Sequence, residues 1–445
     1  MISAPITVQL EVTESCNYRC PHCYHLVNYG NLERGFDFYE NDETVLNVAK
    51  RLVSAKIFNV VLTGGEPLTK KKLTLKLIKY FRAHNITVSL NTNLVLMDDD
   101  FLDKFINFGG NGMLVSCPAT SPKIYKEMTG NGNFHQFSEK IEKLVKKNVH
   151  FTVNMVVNKN NLTVIRETAI KMIAIGVKRF AATPMALNVL YPDFKHFLNI
   201  KDVRKVIKDL MWVKKNFGIY VDIMESLPKC VFPKDIRHLN LSFLERKCQA
   251  GITTMAISAN GDIRPCTHNP EVYGNLLEEN LSNVWKKMFD WRNGFYIPED
   301  CKKCRTMDIC LGGCRMTAKA YDITGKQDSK DPWMLKPLQS NDFRRKNVNF
   351  NLNEESIIYF SKKFQFRREN GGYLVYSAKN KILLINHEFF TLMDYLNKIG
   401  SVKLGDLANH GNISFNDRNF QKIIKLLLRN KFISLNKQQE GGQNV

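Results

Sequence analysis

Several things are scarce in this sequence of 445 residues, and each scarcity removes a class of protein. It has no uncharged apolar run of 18 residues, which excludes a membrane-spanning helix. Its first residues, MISAPITVQL, lack the basic start and long apolar core of a secretory signal, so a cytoplasmic location and no membrane association are expected. Cysteine is absent after Cys314. In a reducing compartment the 11 cysteines before that point suit metal ligation or catalysis better than disulfides. Acidic residues are few: 43 Asp and Glu stand against 64 Lys and Arg, a net charge of +21. Such a balance favours nucleic acid, an anionic surface or an acidic peptide, or simply describes a Lys-rich solvated surface. With 44% apolar and 24% charged residues, the chain is neither disordered, nor collagen-like, nor a disulfide-stapled miniprotein. Its length suits roughly two to four domains.

What is present divides the chain by its cysteines. Cys16, Cys20 and Cys23 open it, Cys117 and Cys230 stand alone, and Cys248, Cys266, Cys301, Cys304, Cys310 and Cys314 form a second cluster. Before that cluster, β-rich runs recur at Ile6–Val12, Asn59–Leu62, Thr87–Leu90, Gly112–Ser116, His150–Val157 and Val177–Ala181. Amphipathic stretches such as Leu75–Arg82 and Phe137–Lys147 lie between them. Strands alternating with helices predict βα units and a parallel sheet. Six units suit a partial (β/α)6 barrel, whose active site lies at the C-terminal ends of the strands.

Cys16, Cys20 and Cys23 follow the first strand with C-x3-C-x2-C spacing. Three thiolates on one loop can hold three irons of a [4Fe–4S] cluster and leave the fourth open. A zinc knuckle, with His22 or His25 as fourth ligand, is the competing reading. After the second strand comes Thr63-Gly64-Gly65-Glu66-Pro67. Its glycines let the backbone approach a ligand closely, and its amides, carbonyls and carboxylate suit an α-amino acid moiety. Alone, the run reads equally as a Gly-rich turn.

Together the two motifs resemble the radical SAM (S-adenosylmethionine) superfamily. The resemblance makes Cys16, Cys20 and Cys23 the ligands of the SAM-binding [4Fe–4S] cluster. It makes Gly64, Gly65, Glu66 and Pro67 the run that holds the methionine amino group. His22 takes a place near the adenine. Asn93 in Asn91-Thr92-Asn93, Ser116 and Asn154 become further SAM contacts, though each also reads as ordinary strand-end chemistry. Pro118 and Met128 depart from the usual Asp and Arg. The implied chemistry is one-electron cleavage of SAM to a 5′-deoxyadenosyl radical that abstracts a hydrogen atom from substrate. A reductant such as flavodoxin or ferredoxin would supply the electron.

The second cluster reads Cys248-x12-Gly261-x4-Cys266 and Cys301-x2-Cys304-x5-Cys310-x3-Cys314. Spacing alone leaves structural zinc and iron–sulfur centres open. The order resembles the SPASM extension of some radical SAM enzymes, which implies one or two auxiliary Fe–S clusters. Cys248, Cys266 and Cys314 would serve the first, and Cys301, Cys304 and Cys310 the second. The usual seventh cysteine is replaced by Met334, after Asp331-Pro332-Trp333. The second cluster would then use another ligand such as Asp331, keep an open iron, or be missing. Cys230 reads either as a fourth ligand of the first cluster or as a buried apolar residue, and Cys117 as core. Thr267 stands where sulfatase-maturing relatives carry an Asp base, which argues against that branch.

Beyond a polar stretch near Ser340–Asn353, read as a linker, the pattern changes. Lys363–Phe366, Gly372–Ser377, Lys381–Ile385 and Phe432–Leu435 read as short strands, with turns at Asn370–Gly372 and Ala378–Asn380. Phe389, Leu392, Met393 and Leu396, then Phe420, Ile423, Ile424, Leu427 and Leu428, fall at helical spacing. The expected domains are 1–230 (barrel), 231–340 (SPASM) and 355–437 (a winged-helix-like α+β domain). The run FQFRRENGGYLVYSAKNKILLIN resembles the peptide-binding chaperone of pyrroloquinoline quinone biosynthesis, also called the RiPP (ribosomally made, modified peptide) recognition element. That fold adds a leader peptide to a sheet edge, here Gly372–Ser377 or Lys381–Ile385, beside helix Phe389–Leu396.

The leading expectation is a radical SAM/SPASM maturase that modifies a ribosomally made precursor peptide by a thioether or carbon crosslink or by epimerisation. A small-molecule or porphyrin-type substrate is the alternative. A metal-dependent nucleic-acid-binding regulator is the reading from another class, and the Gly64–Pro67 run argues against it and against nucleic acid as a partner.

Overall fold

A computed structural model describes residues 2–25, 41–322, 324, 328–339, 343, 350–360, 364–377, 381–430 and 432–435. The chain divides into two compact units, residues 4–345 and residues 346–445 with 1–3.

The first unit is built on one sheet in the order β10-β9-β8-β1-β2-β3-β4-β5-β6-β7. The strands are β1 (Thr7–Thr13), β2 (Asn59–Gly64), β3 (Thr87–Thr92), β4 (Gly112–Ser116), β5 (Phe151–Val157), β6 (Arg179–Pro184), β7 (Tyr220–Asp222), β8 (Thr254–Ile257), β9 (Asp262–Arg264) and β10 (Gly274–Asn275). β1 to β7 run parallel in sequence order, which makes an open, partial (β/α) barrel. Helices Asp42–Ser54, Lys71–Ala83, Asp99–Asn107, Phe134–Lys146, Ile165–Ile175 and Ile200–Phe217 connect them. The strands are apolar on both faces, as in β5, where only Val156 is not buried. Parallel strands covered on both sides read this way.

The helices follow from local chemistry. In Asp42–Ser54, Val45, Val48, Ala49 and Leu52 recur at helical spacing and are buried, and the Asn41 side chain caps the first turn by accepting from the Glu43 amide. Ile200–Phe217 starts with a reciprocal Asn199–Asp202 capping box and ends at Gly218 in the left-handed region. The six expected strands are present, with ends displaced by a few residues at most, and the short β7 adds a seventh.

The cysteine-rich segment extends this same sheet. β8 pairs in parallel with β1, Thr7 opposite Thr254 through Leu10 opposite Ile257, and turns back antiparallel into β9. The first strand of the barrel is therefore flanked on both sides. Arg264 on β9 forms a buried ion pair with Glu11 on β1, both under 10% exposed.

The second unit has two three-stranded antiparallel sheets. One is β15-β11-β16, with β11 (Ile357–Phe360), β15 (Ser401–Lys403) and β16 (Ile433–Leu435); the other is β12-β13-β14, with β12 (Gln365–Glu369), β13 (Gly372–Ser377) and β14 (Lys381–Ile385). Helices His387–Ile399, Leu404–His410 and Arg418–Arg429 pack Leu392, Leu396, Phe420, Ile424 and Leu428 into its core with Ile358 and Val375. The strand expected at Lys363–Phe366 begins instead at Gln365, and Lys363 lies outside the described residues, as do the Ala378–Asn380 turn and most of the linker near Ser340–Asn353. β11 and β15 were not legible in the sequence.

Candidate functional site

The C-terminal ends of the parallel strands open into a cavity of about 300 Å³. Cys16, Cys20, His22 and Cys23 reach it from the loop after β1, and Gly64, Gly65 and Glu66 from the turn after β2. Asn93 reaches it from just after β3, and Ser116 and Asn154 from β4 and β5. Every residue expected to touch SAM is thus at one cavity except Pro67, which is buried at the start of a short helical turn, Pro67–Lys70. Cys117 also borders the cavity, but it is fully buried and its thiol faces the Ala119 carbonyl at 3.4 Å.

The cysteine loop is held by its backbone. The Cys23 amide donates to the Cys20 carbonyl at 3.1 Å, closing a tight turn. Peptide N–H groups aim at two thiols: Tyr18 N at Cys16 Sγ and His25 N at Cys23 Sγ, each 3.4 Å. Arg19 ties the loop to Thr129, its amide donating to the Thr129 carbonyl at 2.9 Å. Burial pushes the Cys16 thiol up to about 11, and burial followed by the neighbouring thiolates pushes Cys20 higher. Two such thiols ionise together only when positive charge joins them.

The glycines after β2 serve this loop. A Cβ on Gly64, at φ +124°, would lie 2.3 Å from the Thr13 carbonyl oxygen, and one on Gly65 would lie 2.2 Å from that of Ser15. The Gly65 amide donates to Thr13 O at 2.7 Å and the Glu66 amide to Ser15 O at 2.8 Å. The close approach expected toward a ligand is thus made to the backbone that carries the cysteines.

Glu66 is buried and accepts from Thr92 Oγ1 (2.7 Å), Leu68 N (3.0 Å) and Asn93 N (2.6 Å). It joins the β2 turn to the end of β3. Burial pushes its carboxyl up to about 7 against those three donors. Asn93 continues the chain of contacts, its Nδ2 donating to Asn17 Oδ1 in the cysteine loop at 2.8 Å.

Several further cavity residues were not anticipated, four of them polar or aromatic groups that shape the site. Thr183 on β6 donates to Asn154 Oδ1 at 2.7 Å and accepts from the Met224 amide at 3.0 Å, which fixes the Asn154 carboxamide. Glu225 follows β7, a strand too short to mark itself. Tyr24 stacks on His268 with ring centroids 4.0 Å apart. The Nδ1 of His268 is buried without a hydrogen-bond partner, and burial lowers its basicity. His268 lies two residues after Cys266, so this stack joins the first cysteine loop to the second cysteine group. That short spacing was the signal available in the sequence.

The second group separates into two sets. Cys266 and Cys314 both lie near Cys248: burial, then the charge of Cys248, pushes Cys266 up to about 12, and burial, Glu225 and Cys248 raise Cys314. The other set, Cys301, Cys304 and Cys310, rings a narrow cavity together with Met334 and Cys230. Cys230 therefore lies beside the second set, and it is part-buried rather than buried. Asp331 is buried and bound elsewhere, its oxygens accepting from Cys314 N (3.0 Å) and Trp333 N (2.9 Å). Among the described residues, no three His, Cys, Asp or Glu side chains are placed to hold a single metal ion. Zinc needs its ligands around one point, whereas each thiolate of a [4Fe–4S] cluster binds its own iron.

Residues 10–170 match the Radical SAM superfamily, and residues 248–305 match SPASM, described as an iron–sulfur cluster-binding domain. An AdoMet-dependent heme synthase of Methanosarcina barkeri is 24% identical over 75% of this chain and 97% of its own length. A PqqA peptide cyclase of Bradyrhizobium diazoefficiens is 24% identical over 77% of this chain and 89% of its own. Among solved structures, Streptococcus suis SuiB bound to the precursor peptide SuiA shares the fold with a TM-score of 0.58 at 17% identity, covering 74% of this chain and 75% of that one. The chain carries a radical SAM domain and a SPASM domain, and is a radical SAM enzyme. Among the described residues no helix is long and apolar enough to cross a membrane.

Proposed function

We propose that this radical SAM/SPASM enzyme is a cytoplasmic maturase that crosslinks or epimerises a ribosomally made precursor peptide. The observation that carries the reading is the single cavity uniting the cysteine loop, the Gly64–Glu66 turn and the strand-end residues, with the Tyr24–His268 stack leading on to the second cysteine group. The residues suit the cofactors. Cys16, Cys20 and Cys23 are part-buried thiols on one loop, two of them facing peptide N–H donors, and would hold the [4Fe–4S] cluster. Gly64 and Gly65, braced by Glu66 and Pro67, would present their carbonyls to the SAM amino group. His22, Asn93, Ser116 and Asn154 would contact the rest of SAM. Cys248, Cys266 and Cys314 would hold one auxiliary Fe–S cluster, and Cys301, Cys304 and Cys310 belong to the other. When bound, SAM and its cluster supply a 5′-deoxyadenosyl radical for hydrogen-atom abstraction, fed by a donor of the flavodoxin or ferredoxin kind. The chain's own part is to position SAM, exclude water and hold the substrate.

The second unit supports a peptide substrate. β13 is paired on both sides, so of the two strands expected to take a leader β14 is the one at a sheet edge, with β12 at the other edge. A groove of about 530 Å³ runs between β14 and helix Arg418–Arg429, with Leu383, Phe389, Ile423 and Leu426 in its walls. Leu384 on the edge is 58% exposed. An extended leader would add to β14 through main-chain hydrogen bonds and place apolar side chains in the groove. The net charge of +21 suits an acidic leader.

The test uses the anaerobically reconstituted full chain and the peptide encoded by a short reading frame beside its gene. Formation of 5′-deoxyadenosine with a crosslinked or epimerised peptide, and loss of peptide binding in Leu384→Asp, is the expected result. The heme synthase relative motivates the competing outcome. SAM cleavage that acts on an iron porphyrin, with no peptide bound, would refute the peptide reading.

A further inference from the structure

The second cysteine set lacks one ligand in the sequence, because Met334 stands where the SPASM resemblance places the last cysteine. The fold brings a replacement from before the segment. Cys230 sits on a short helical turn, Lys229–Val231, more than 70 residues ahead of Cys301. It lines the same narrow cavity as Cys301, Cys304 and Cys310. Met334 lies in that ring too, its Sδ 3.1 Å from Cys301 Sγ. A thioether there is neutral and only a weak acceptor.

We infer that Cys230, with Cys301, Cys304 and Cys310, completes a four-thiolate site for the second auxiliary cluster. The inference rests on the reading of this chain as an iron–sulfur enzyme. The sulfurs are dressed as cluster ligands are. Leu335 N donates to Cys230 Sγ at 3.1 Å, Leu338 N to Cys304 Sγ at 3.3 Å, and Lys229 N to Cys310 Sγ at 3.3 Å. Peptide N–H groups aimed at sulfur orient ligands and tune cluster potential. Two of these donors come from the 335–338 stretch, and the third is the residue beside Cys230.

Both flanks are anchored independently of any metal. The Lys229 ammonium, although buried, donates to the carbonyls of Arg246 (2.6 Å) and Phe243 (3.4 Å). Trp333, fully buried, donates through Nε1 to the Leu198 carbonyl at 2.7 Å and stacks on Phe197. Cys230 and the 334–338 stretch are thereby held at one place before a cluster arrives. A cysteine kept only for packing would need neither a donor on its sulfur nor three further cysteines around the same cavity.

The test compares full-length wild type with Cys230→Ala and with the double variant Cys230→Ala/Met334→Cys, all reconstituted anaerobically. Iron and sulfide are counted, and the clusters are read by electron paramagnetic resonance and Mössbauer spectroscopy. Wild type is expected to hold about 12 irons, as three [4Fe–4S] clusters. Cys230→Ala is expected to lose about one to four of them, by conversion of one cluster to a [3Fe–4S] centre or by its loss. Met334→Cys is expected to restore the count, because it returns a thiol to the same cavity. Unchanged iron and spectra in Cys230→Ala would overturn the inference, as would a loss that Met334→Cys leaves unrepaired. Zinc in place of iron in the wild type would instead overturn the underlying reading, so the two failures are distinguishable.

Discussion

Replacing Gly65 by Ala tests how the site is assembled. The added methyl carbon would sit 2.2 Å from the Ser15 carbonyl oxygen and 2.5 Å from that of Glu14, where ordinary contact begins at 3.4 Å. Both atoms are backbone, so no side-chain rotation relieves them. The β2 turn and the cysteine loop must part by roughly 1 Å. That breaks the Gly65–Thr13 and Glu66–Ser15 hydrogen bonds. Overpacking costs about 1–3 kcal/mol, and each lost hydrogen bond about 1 kcal/mol. The sum is about 3–5 kcal/mol. An unfolding entropy of about 2.1 cal/mol/K per residue over residues 4–345 converts this to a fall in Tm of roughly 4–7 °C. Thermal unfolding of the metal-free chain measures it. Gly218→Ala is the control, at φ +66° with nothing within 4 Å, and is expected to cost only about 1 kcal/mol. In the reconstituted enzyme, SAM cleavage by Gly65→Ala should fall about 100-fold, the scale for an ångström of misplacement. A Gly65→Ala protein that melts within about 1 °C of wild type and cleaves SAM normally would refute the reasoning.

Three further outcomes follow from the same contacts. Burial holds the Glu66 carboxyl near 7 against 4.5 unfolded, so the unfolded chain releases its proton first as pH rises. Wild type should therefore lose about 3 kcal/mol relative to Glu66→Gln between pH 4.5 and 7 and no more above that, as read by denaturant unfolding at each pH. Arg264→Ala strands the buried Glu11 carboxylate, which then faces His25 at 3.8 Å. It should cost about 3–5 kcal/mol in denaturant unfolding, whereas Arg264→Met with Glu11→Leu should cost much less. Trp333→Ala removes a buried indole and its bond to Leu198, so a loss of about 3–5 kcal/mol is expected, together with a lower iron count.

The short-range part of the site was legible in the sequence. C-x3-C-x2-C, Gly64-Gly65-Glu66 and the spacing of Cys301 to Cys314 are local patterns, and β1 to β6 announce themselves as short apolar, β-rich runs between amphipathic stretches. What escaped depends on residues far apart in the chain. β7 has three residues, and β8 becomes a strand of the barrel sheet only by pairing with residues some 247 positions earlier. Cys230 has no motif, and only the fold shows its neighbours. The Tyr24–His268 stack is of the same kind. The close approach of Gly65 to Ser15 escaped for a related reason: a glycine signals that something comes close, without saying which backbone it is.

The pairing of β8 with β1 also sets a schedule for biosynthesis. β1 and the cysteine loop leave the ribosome well before the strand that covers the outer side of β1, which begins at Thr254. At about 5–20 residues per second, the gap is roughly 12–50 s. Through that interval β1 presents unpaired amide and carbonyl groups along one edge, a template for wrong partners. Arg264 has not yet been made, so Glu11 has no guanidinium to meet. The nascent chain thus passes through a stage in which its most oxygen-sensitive element is its least protected.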